Sequence, residues 1–548
     1  MTKTNRLNIC IISRKNLEKN TRITRQALAL QDKGHHVTVI AGKRPYQEVL
    51  DKCKTIDFEI LPPFTLQLIS EKFGLQNLKR IVTDIKQHLK QTFKSLKAQP
   101  ITTKAFVALI GLICAPALLG IGMFLYIAAF LFSFGVYALI KLQSLDIKEP
   151  PQVSFTQHVV KLKLIHLLKK LTYPYRSEIV NMVVKKHIKN LLKGKAFDVI
   201  QMHDSTVLFL LPTLKSDMPS AKIVFDAVEV FKERTLNATI KTKPNWLNRY
   251  LYKQQVKNMK QYTDKVLTFG PGAAKFYKTE YDIRKPDLIR NCRYFYNPKK
   301  KDTRIRQDAG LKANHKLVVI TNSLYTGQGL EQVVDAMTML DENIHIATVG
   351  WDGEGGAYTE KCLNIAKEKG VADRIHLMGQ RTTEDLVPYI SGGDIGIIPM
   401  QYNGTFNISY CMPNRVFELI MARLPIAATS LNCIKALVNQ TGAGMVFDET
   451  DPKDIARVIT KMLAKETLKT LKHDTEQTAR LLCWENESRS YTRIIENVAK
   501  GNNGYEQEFF TDAYKIDSTY IENVLPKMGF PISEEDENHN TPISQKAA

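Results

Sequence analysis

Short, nearly uninterrupted apolar runs alternate with amphipathic stretches along most of this chain. Leu7–Ile12 is one run, Arg22–Lys33 carries helical spacing, and Val37–Ala41 is the next run after Gly34, a residue suited to a helix C-cap. Strand, helix and strand in that order predict a βαβ unit with a right-handed crossover. Runs at Phe197–Met202, Ala221–Asp226 and Lys265–Phe269 continue the pattern. Beyond a lysine-rich linker at Pro298–Asp302, the runs Lys316–Thr321, Ile344–Val349, Arg374–Gly379, Gly393–Pro399, Ile426–Thr429 and Gly442–Asp448 form a second series. Runs apolar on both faces read as parallel strands covered by helices on each side. The expected fold class is α/β, with two Rossmann-like domains. His203, Asp204, Glu229 and Gly350 stand just past strand ends, the edge where open α/β sheets build their sites. No G-x-G-x-x-G follows the first strand, so a dinucleotide fingerprint is absent.

The densest pattern lies between Cys411 and Thr429. Pro413 suits the first turn of a helix, Val416, Phe417, Ile420 and Met421 recur at helical spacing, and Leu424-Pro425 stops the helix before the next strand. A helix that starts at the carboxyl ends of parallel strands presents free N–H groups and its positive dipole end to an anion. Glu418 lies one turn in, where a carboxylate accepts hydrogen bonds from sugar hydroxyls while the helix start holds a phosphate.

One stretch breaks the α/β pattern. Ala105–Ile140 runs for 36 residues without a charge, and Gly120-Ile-Gly122 divides it into arms of 15 and 18 residues. At about 1.5 Å per residue the arms reach roughly 22 and 27 Å, slightly less than a hydrocarbon core. Lys90, Lys94, Lys97 and Lys104 precede the run, and Lys141, Lys148, Lys161 and Lys163 follow it. Positive flanks predict that both ends lie on the cytoplasmic face of a membrane. The expectation is a hydrophobic hairpin, re-entrant or tightly spanning, in preference to a buried helix pair of a soluble core. The lysine-rich helical flanks 71–97 and 158–193 would then lie on anionic lipid, each lysine adding up to about 1 kcal/mol.

Composition narrows the partners. The chain has 548 residues, a formal net charge of +22 and a pI near 9.4, which point to anionic ligands or an acidic lipid surface. No zinc pattern, recognition helix or compact basic motif favours nucleic acid. The cysteines are scattered without a C-x-x-C and read as reduced, mostly buried thiols of a cytosolic compartment. No Asp-x-Asp or histidine cluster marks a metal site, and no signal peptide precedes the first strand. Residues 501–548 turn acidic and polar, with Tyr514–Met528 expected as a short docked helix.

Pro413-Asn414-Arg415-Val416-Phe417-Glu418, followed by Leu424-Pro425-Ile426, resembles the donor-binding helix of retaining GT-B glycosyltransferases of family 4, many of which carry Pro-Asn-Lys-x-x-Glu there. Asn20-Thr-Arg22, Arg290-Asn291, the glycine turn Tyr325-Thr-Gly-Gln-Gly-Leu330 and Trp484-Glu-Asn-Glu resemble further landmarks in the family's order, over roughly residues 7–61 and 190–498. The resemblance implies a GT-B architecture, two Rossmann-like domains facing a cleft, with the hydrophobic hairpin inserted in the first. Residues 1–297 would form the acceptor-side domain, 298–482 the nucleotide-sugar domain, and 483–500 a helix crossing back to the first. Donor contacts are implied from Gly327, Gln328, Gly329, Gly350, Arg381, Pro413, Asn414, Arg415 and Glu418, and catalytic roles from Glu418, His203, Asp204 and Glu229. No cofactor is implied beyond the nucleotide-sugar donor.

Departures from the family stand in the same places. Asp226-Ala-Val228-Glu229 lacks the histidine of the usual Asp-x-His-Glu, and His203 is either its partial replacement or a structural strand-end residue. Tyr410 stands eight positions before Glu418, where a glutamate is frequent. Gln328 replaces the cation of the glycine turn, and Asn322-Ser323 replaces an arginine before it, so two fixed charges are gone from the leaving diphosphate. Arg415, the helix-start N–H groups and Arg381 are the candidates to compensate. Two functions remain open: a membrane-docked glycosyltransferase acting on a lipid-linked or other saccharide at the cytoplasmic face, and a catalytically impaired relative serving as membrane scaffold or regulatory subunit.

Overall fold

The computed structural model describes residues 6–61, 181–236, 246–297, 302–502, 504 and 514–528, apart from single residues at 19, 183 and 322. The hydrophobic run 105–140 and most of its lysine-rich flanks lie outside the described residues. Among the described residues no helix is long and apolar enough to cross a membrane.

Two parallel sheets carry the fold. The first is formed by β1 (Asn8–Ile12), β2 (His36–Ala41), β3 (Ile56–Ile60), β4 (Val199–His203), β5 (Lys222–Ala227), β6 (Lys265–Thr268) and β7 (Asp287–Leu288), in the order β3-β2-β1-β4-β5-β6-β7. The second is formed by β8 (Lys316–Thr321), β9 (Ile344–Val349), β10 (Ile375–Leu377), β11 (Ile395–Ile398), β12 (Ile426–Thr429) and β13 (Gly444–Phe447), in the order β10-β9-β8-β11-β12-β13. Every pairing is parallel, as with Ile9 beside Val37 and Val199, or Gly396 beside Val319 and Ile426. Both sheets thus reverse winding at their centre, between β1 and β4 and between β8 and β11. Such switch points open the crevice where ligands bind.

All but the partly buried β3, β10 and β13 are buried on both faces, which is why their sequences read as continuous apolar runs. Around the first sheet, Ile9, Ile11, Val37, Val39, Val199 and Leu267 pack with Ile23, Ala27 and Leu30 of helix Thr21–Asp32. Trp484, Tyr491, Ile494, Ile495 and Val498 of helix Trp484–Ala499 join that same core. This helix, which follows the second sheet in the chain, packs on the first sheet. Its first turn also fixes the linker between the domains. The Trp484 N–H donates to the Arg293 carbonyl at 2.8 Å, Glu485 accepts the Phe295 N–H at 3.0 Å, and Glu487 pairs with Arg290.

The expected short element after residue 514 is helix Ser518–Val524, capped by Asp517 and docked on the second domain through Tyr520 and Val524. Among the described residues every cysteine is a free thiol, and Cys10, Cys292, Cys362, Cys433 and Cys483 are buried.

Candidate functional site

The helix expected from the Pro413–Glu418 pattern spans Asn414–Met421. Its boundary differs by one residue: Pro413 is the N-cap, with ψ at 151°, and Asn414 is the first helical position. Proline fits there because its extended ψ ends the incoming loop while its carbonyl accepts the Val416 N–H at 3.1 Å. No side chain caps this start. An eight-residue helix is marginal in isolation, so packing holds it: Val416, Phe417, Leu419, Ile420 and Met421 are all buried against the second sheet. Each such side chain contributes about 1.5–3 kcal/mol.

The glycine turn and helix Asn414–Met421 meet at the second switch point. Gly329 has φ +81° and begins helix Leu330–Met337, and a Cβ added there would stand 1.8 Å from the Pro399 carbonyl oxygen. Only glycine lets this turn lie against the segment that follows β11. Gln401 donates its N–H to the Gly327 carbonyl at 3.0 Å and closes the same contact. The turn delivers Gln328, buried at 4% exposure, to Arg415, whose Nη2 donates to Gln328 Oε1 at 2.8 Å. Arg415 Nη1 is buried and has no hydrogen-bond partner among the described residues. Burial lowers the Arg415 pKa, against the opposing pull of Cys411, Tyr325 and Glu418.

Glu418 is also buried, at 7% exposure, and pairs with Arg293 of the interdomain linker. Two residues earlier in that linker, Asn291 donates from its side chain to Asn414 Oδ1 and accepts from Arg25 on helix Thr21–Asp32. Arg25 lies over the Trp484 ring at 5.2 Å, and its Nη1 is buried without a partner among the described residues. Burial, and then the charge of Arg293, pull the Arg25 pKa down to about 9. Arg415, Arg293 and, through Asn291, Arg25 therefore gather near the start of helix Asn414–Met421, with Glu418 the carboxylate among them.

On the first domain, the strand ends form a buried ion-paired network. Asp226 at the end of β5 takes Arg22 Nε at 2.9 Å and Nη2 at 2.7 Å, Gln26 Nε2 at 2.9 Å and His203 Nδ1 at 3.2 Å. Burial alone would raise its pKa, but the Arg22 guanidinium and the hydrogen bonds of His203 and Arg22 hold it far below the usual carboxylate range. His203 is fully buried, and its Nε2 meets Asn20 at 3.2 Å. Of the two roles left open for it, the geometry matches the structural one, since both ring nitrogens have protein partners. Asp204 follows at φ +79°, a region disfavoured for any residue but glycine, and is held by Lys15 at 2.9 Å and the Thr206 N–H at 3.1 Å. Lys15 comes from the loop after β1, so the first switch point is tied across its mouth.

Several candidates fall elsewhere. Arg381 pairs with Asp308 at 3.2 Å and lies 4.1 Å over the Tyr389 ring, held by those neighbours rather than by the donor helix. Gly350 donates to the Gly379 carbonyl and shapes the end of β9. Glu229 lends its backbone carbonyl to the Tyr277 hydroxyl at 2.9 Å. Tyr410 stacks on Phe406 with centroids 4.2 Å apart and lies against Gly272 of the first domain.

Arg293 and Glu449 are the additions that sequence reading missed. Glu449, after β13, accepts from Thr429 Oγ1 at 2.9 Å and Ser430 Oγ at 2.7 Å, and its carbonyl accepts from Gln401 Nε2 at 2.6 Å, so the ends of β11, β12 and β13 are tied together. Arg293 had a usable signal: in an extended linker, alternate residues share a side, so Asn291 implies Arg293. Glu449 had none, because its partners are remote in sequence.

Comparison with known proteins bears on the fold and on the second half of the chain. Residues 301–481 match the family model "Glycosyl transferases group 1". D-inositol 3-phosphate glycosyltransferase of Corynebacterium efficiens is 26% identical over 183 residues, 32% of this chain and 39% of that protein's length. Among solved structures, sucrose-phosphate synthase from Thermosynechococcus elongatus superposes with a TM-score of 0.57 at 13% identity, covering 90% of this chain and 100% of that one. Anabaena Alr3699/HepE in complex with UDP-glucose gives 0.55 at 10% identity, covering 90% and 100%. The chain has the two-domain GT-B type of fold, and its second half carries a glycosyl transferases group 1 domain.

Proposed function

We propose that this chain is a retaining glycosyltransferase of the family 4 type. It would move a sugar from a nucleoside diphosphate donor to a hydroxyl of a lipid-linked saccharide at the cytoplasmic face of a membrane. The observation that carries the donor reading is Arg415. A buried guanidinium at the second position of a helix keeps one nitrogen unpaired, an arrangement that costs about 1–3 kcal/mol until an anion arrives. Membrane docking rests on the uncharged run 105–140 and its lysine flanks.

In the reaction, the bond from the anomeric carbon to the diphosphate oxygen breaks and that oxygen gains negative charge. Arg415 and the helix-start N–H groups lie where this charge develops. The acceptor oxygen bonds to the same carbon on the face the diphosphate leaves, and its proton passes to the departing phosphate oxygen. Glu418 positions the donor through its ribose, and the Arg22–Asp226–His203 network keeps the opposing strand ends in place.

The Arg293–Glu418 pair and the neutral Gln328 favour a second reading, a membrane scaffold on a GT-B body. Titration with nucleoside diphosphates, together with donor hydrolysis and transfer to membrane lipid extract over a panel of nucleotide-sugars, separates the two. Arg415→Ala should weaken nucleoside diphosphate binding about tenfold or more, the value of a charged hydrogen bond. Absence of any nucleotide binding in the unaltered protein leaves the scaffold.

A further inference from the structure

The linker between the domains runs beside the donor helix and is fixed independently of it. Glu487, the Trp484 N–H and Glu485 hold Arg290, the Arg293 carbonyl and the Phe295 N–H in turn. From this fixed backbone, Asn291 reaches Asn414 at the first helical position and Arg293 reaches Glu418 at the fifth. Arg293 Nε is buried with no hydrogen-bond partner among the described residues, and so is Arg25 Nη1. Arg293 and, through Asn291, Arg25 therefore join Arg415 near the start of a helix whose dipole is positive at that end, with Glu418 the carboxylate among them. The side chains of the site leave it short of negative charge.

That shortage has a consequence for the ligand, given the donor reading above. A ribose that hydrogen-bonds Glu418 competes directly with Arg293 for the same carboxylate. Displacing Arg293 would leave a mostly buried cation without its carboxylate, which is unfavourable. A ligand that also brings a diphosphate to the helix start supplies the missing anion within reach of the displaced side chain. We infer that Arg293 is a specificity residue that exchanges Glu418 for the donor's phosphate, so that the site admits phosphorylated nucleosides and rejects bare ones. The exchange makes and breaks no covalent bond.

Calorimetric titration of the unaltered protein, Arg293→Gln and Glu418→Gln with uridine and UDP, adenosine and ADP, and guanosine and GDP tests this. In the unaltered protein, the preferred diphosphate should bind about a hundredfold or more tightly than its nucleoside. Arg293→Gln should narrow that gap from both ends: the nucleoside binds more tightly and the diphosphate about tenfold more weakly. Glu418→Gln, which frees Arg293 without moving it, should also strengthen nucleoside binding, and it serves if Arg293→Gln does not fold. Equal weakening of both ligands in Arg293→Gln, or a nucleoside no tighter in either variant, overturns the exchange while leaving the donor site standing. If the unaltered protein binds no diphosphate of any base, the donor reading itself falls, and the exchange with it.

Discussion

Arg415 donates to Gln328 across the second switch point at 2.8 Å, so the glycine turn presents a neutral acceptor where the glycosyltransferases it resembles carry a cation. The charge has not vanished from this site; it stands on the helix. Gln328 occupies Nη2 of Arg415 and leaves Nη1 unpaired, which gives the guanidinium a fixed orientation with one open donor.

Restoring a cation to the turn should therefore not simply improve the protein. Gln328→Arg removes the acceptor and sets a second buried guanidinium beside Arg415. Without ligand the variant should lose about 1–3 kcal/mol, a few degrees in Tm. A saturating nucleoside diphosphate should then raise its Tm by more than it raises that of the unaltered protein, because one anion compensates two cations. Thermal denaturation with and without nucleotide reads both effects. A variant more stable than the unaltered protein in the absence of ligand would mean that the Arg415–Gln328 contact contributes nothing.

Asp226 is the structural centre of the first domain's strand ends, and its loss should cost more than any other single change there. Asp226→Asn strands the buried Arg22 charge, at about 3–5 kcal/mol by urea denaturation. Its folded pKa is depressed, so its stabilisation is complete above the unfolded value near 4 and falls only in stronger acid. The unaltered protein and Asp226→Asn should thus keep a constant stability difference from pH 5 to 8. A difference that shrinks within that range would show that Asp226 is not held ionised.

Much of this was legible in the sequence because buried parallel strands announce themselves. Lys316–Thr321 and Ile344–Val349 match their apolar runs residue for residue, whereas edge strand Ile56–Ile60 alternates Asp57 and Glu59 with apolar positions and did not stand out. The donor helix was legible from its periodicity, but the loop geometry at Pro413 was not, since proline fits either side of a helix start. The partners of the site residues were the hidden part. Nothing local ties Arg22 to Asp226 or Arg293 to Glu418; the first pair exists because the helix after β1 packs on the sheet that contains β5, and the second because the linker runs beside helix Asn414–Met421.

Acid should act on the second domain through stacked histidines. His345 stacks on His315 with centroids 4.3 Å apart, and its Nδ1 meets His376 Nε2 at 3.0 Å. Burial first, then His315, His376 and Arg374, with Asp373 opposing, lower its pKa to about 4. The neutral form is the folded one, so this contribution is complete above the unfolded value near 6.5 and declines as pH falls toward 4. His345→Gln should flatten the stability profile between pH 6.5 and 4 relative to the unaltered protein. Parallel profiles would remove the stack as the source of acid sensitivity.

The two domains are also joined beside Tyr410. Glu233 of the first domain accepts the Phe406 and Asn407 N–H groups at 2.6 and 2.9 Å, and Asn407 bonds both the N–H and the carbonyl of Val230. Beside this contact, Tyr410 lies so close to Gly272 that an added Cβ would stand 2.1 Å from its Cδ1. Tyr410 cannot retreat freely, because its ring is stacked on Phe406, which in turn lies 4.4 Å from Phe276. Gly272→Ala should therefore push the domains apart at this point, with a cost of about 1–3 kcal/mol from overpacking. Small-angle scattering should show a larger radius of gyration, and limited proteolysis faster cleavage near Asn403-Gly404. Truncating the opposing ring should cure the clash: Gly272→Ala with Tyr410→Ala should be more compact than Gly272→Ala alone, a coupling that independent sites do not show. If Gly272→Ala leaves scattering and proteolysis unchanged, Tyr410 does not bridge the domains in solution. The residue eight positions before Glu418 would then be free to face the cleft.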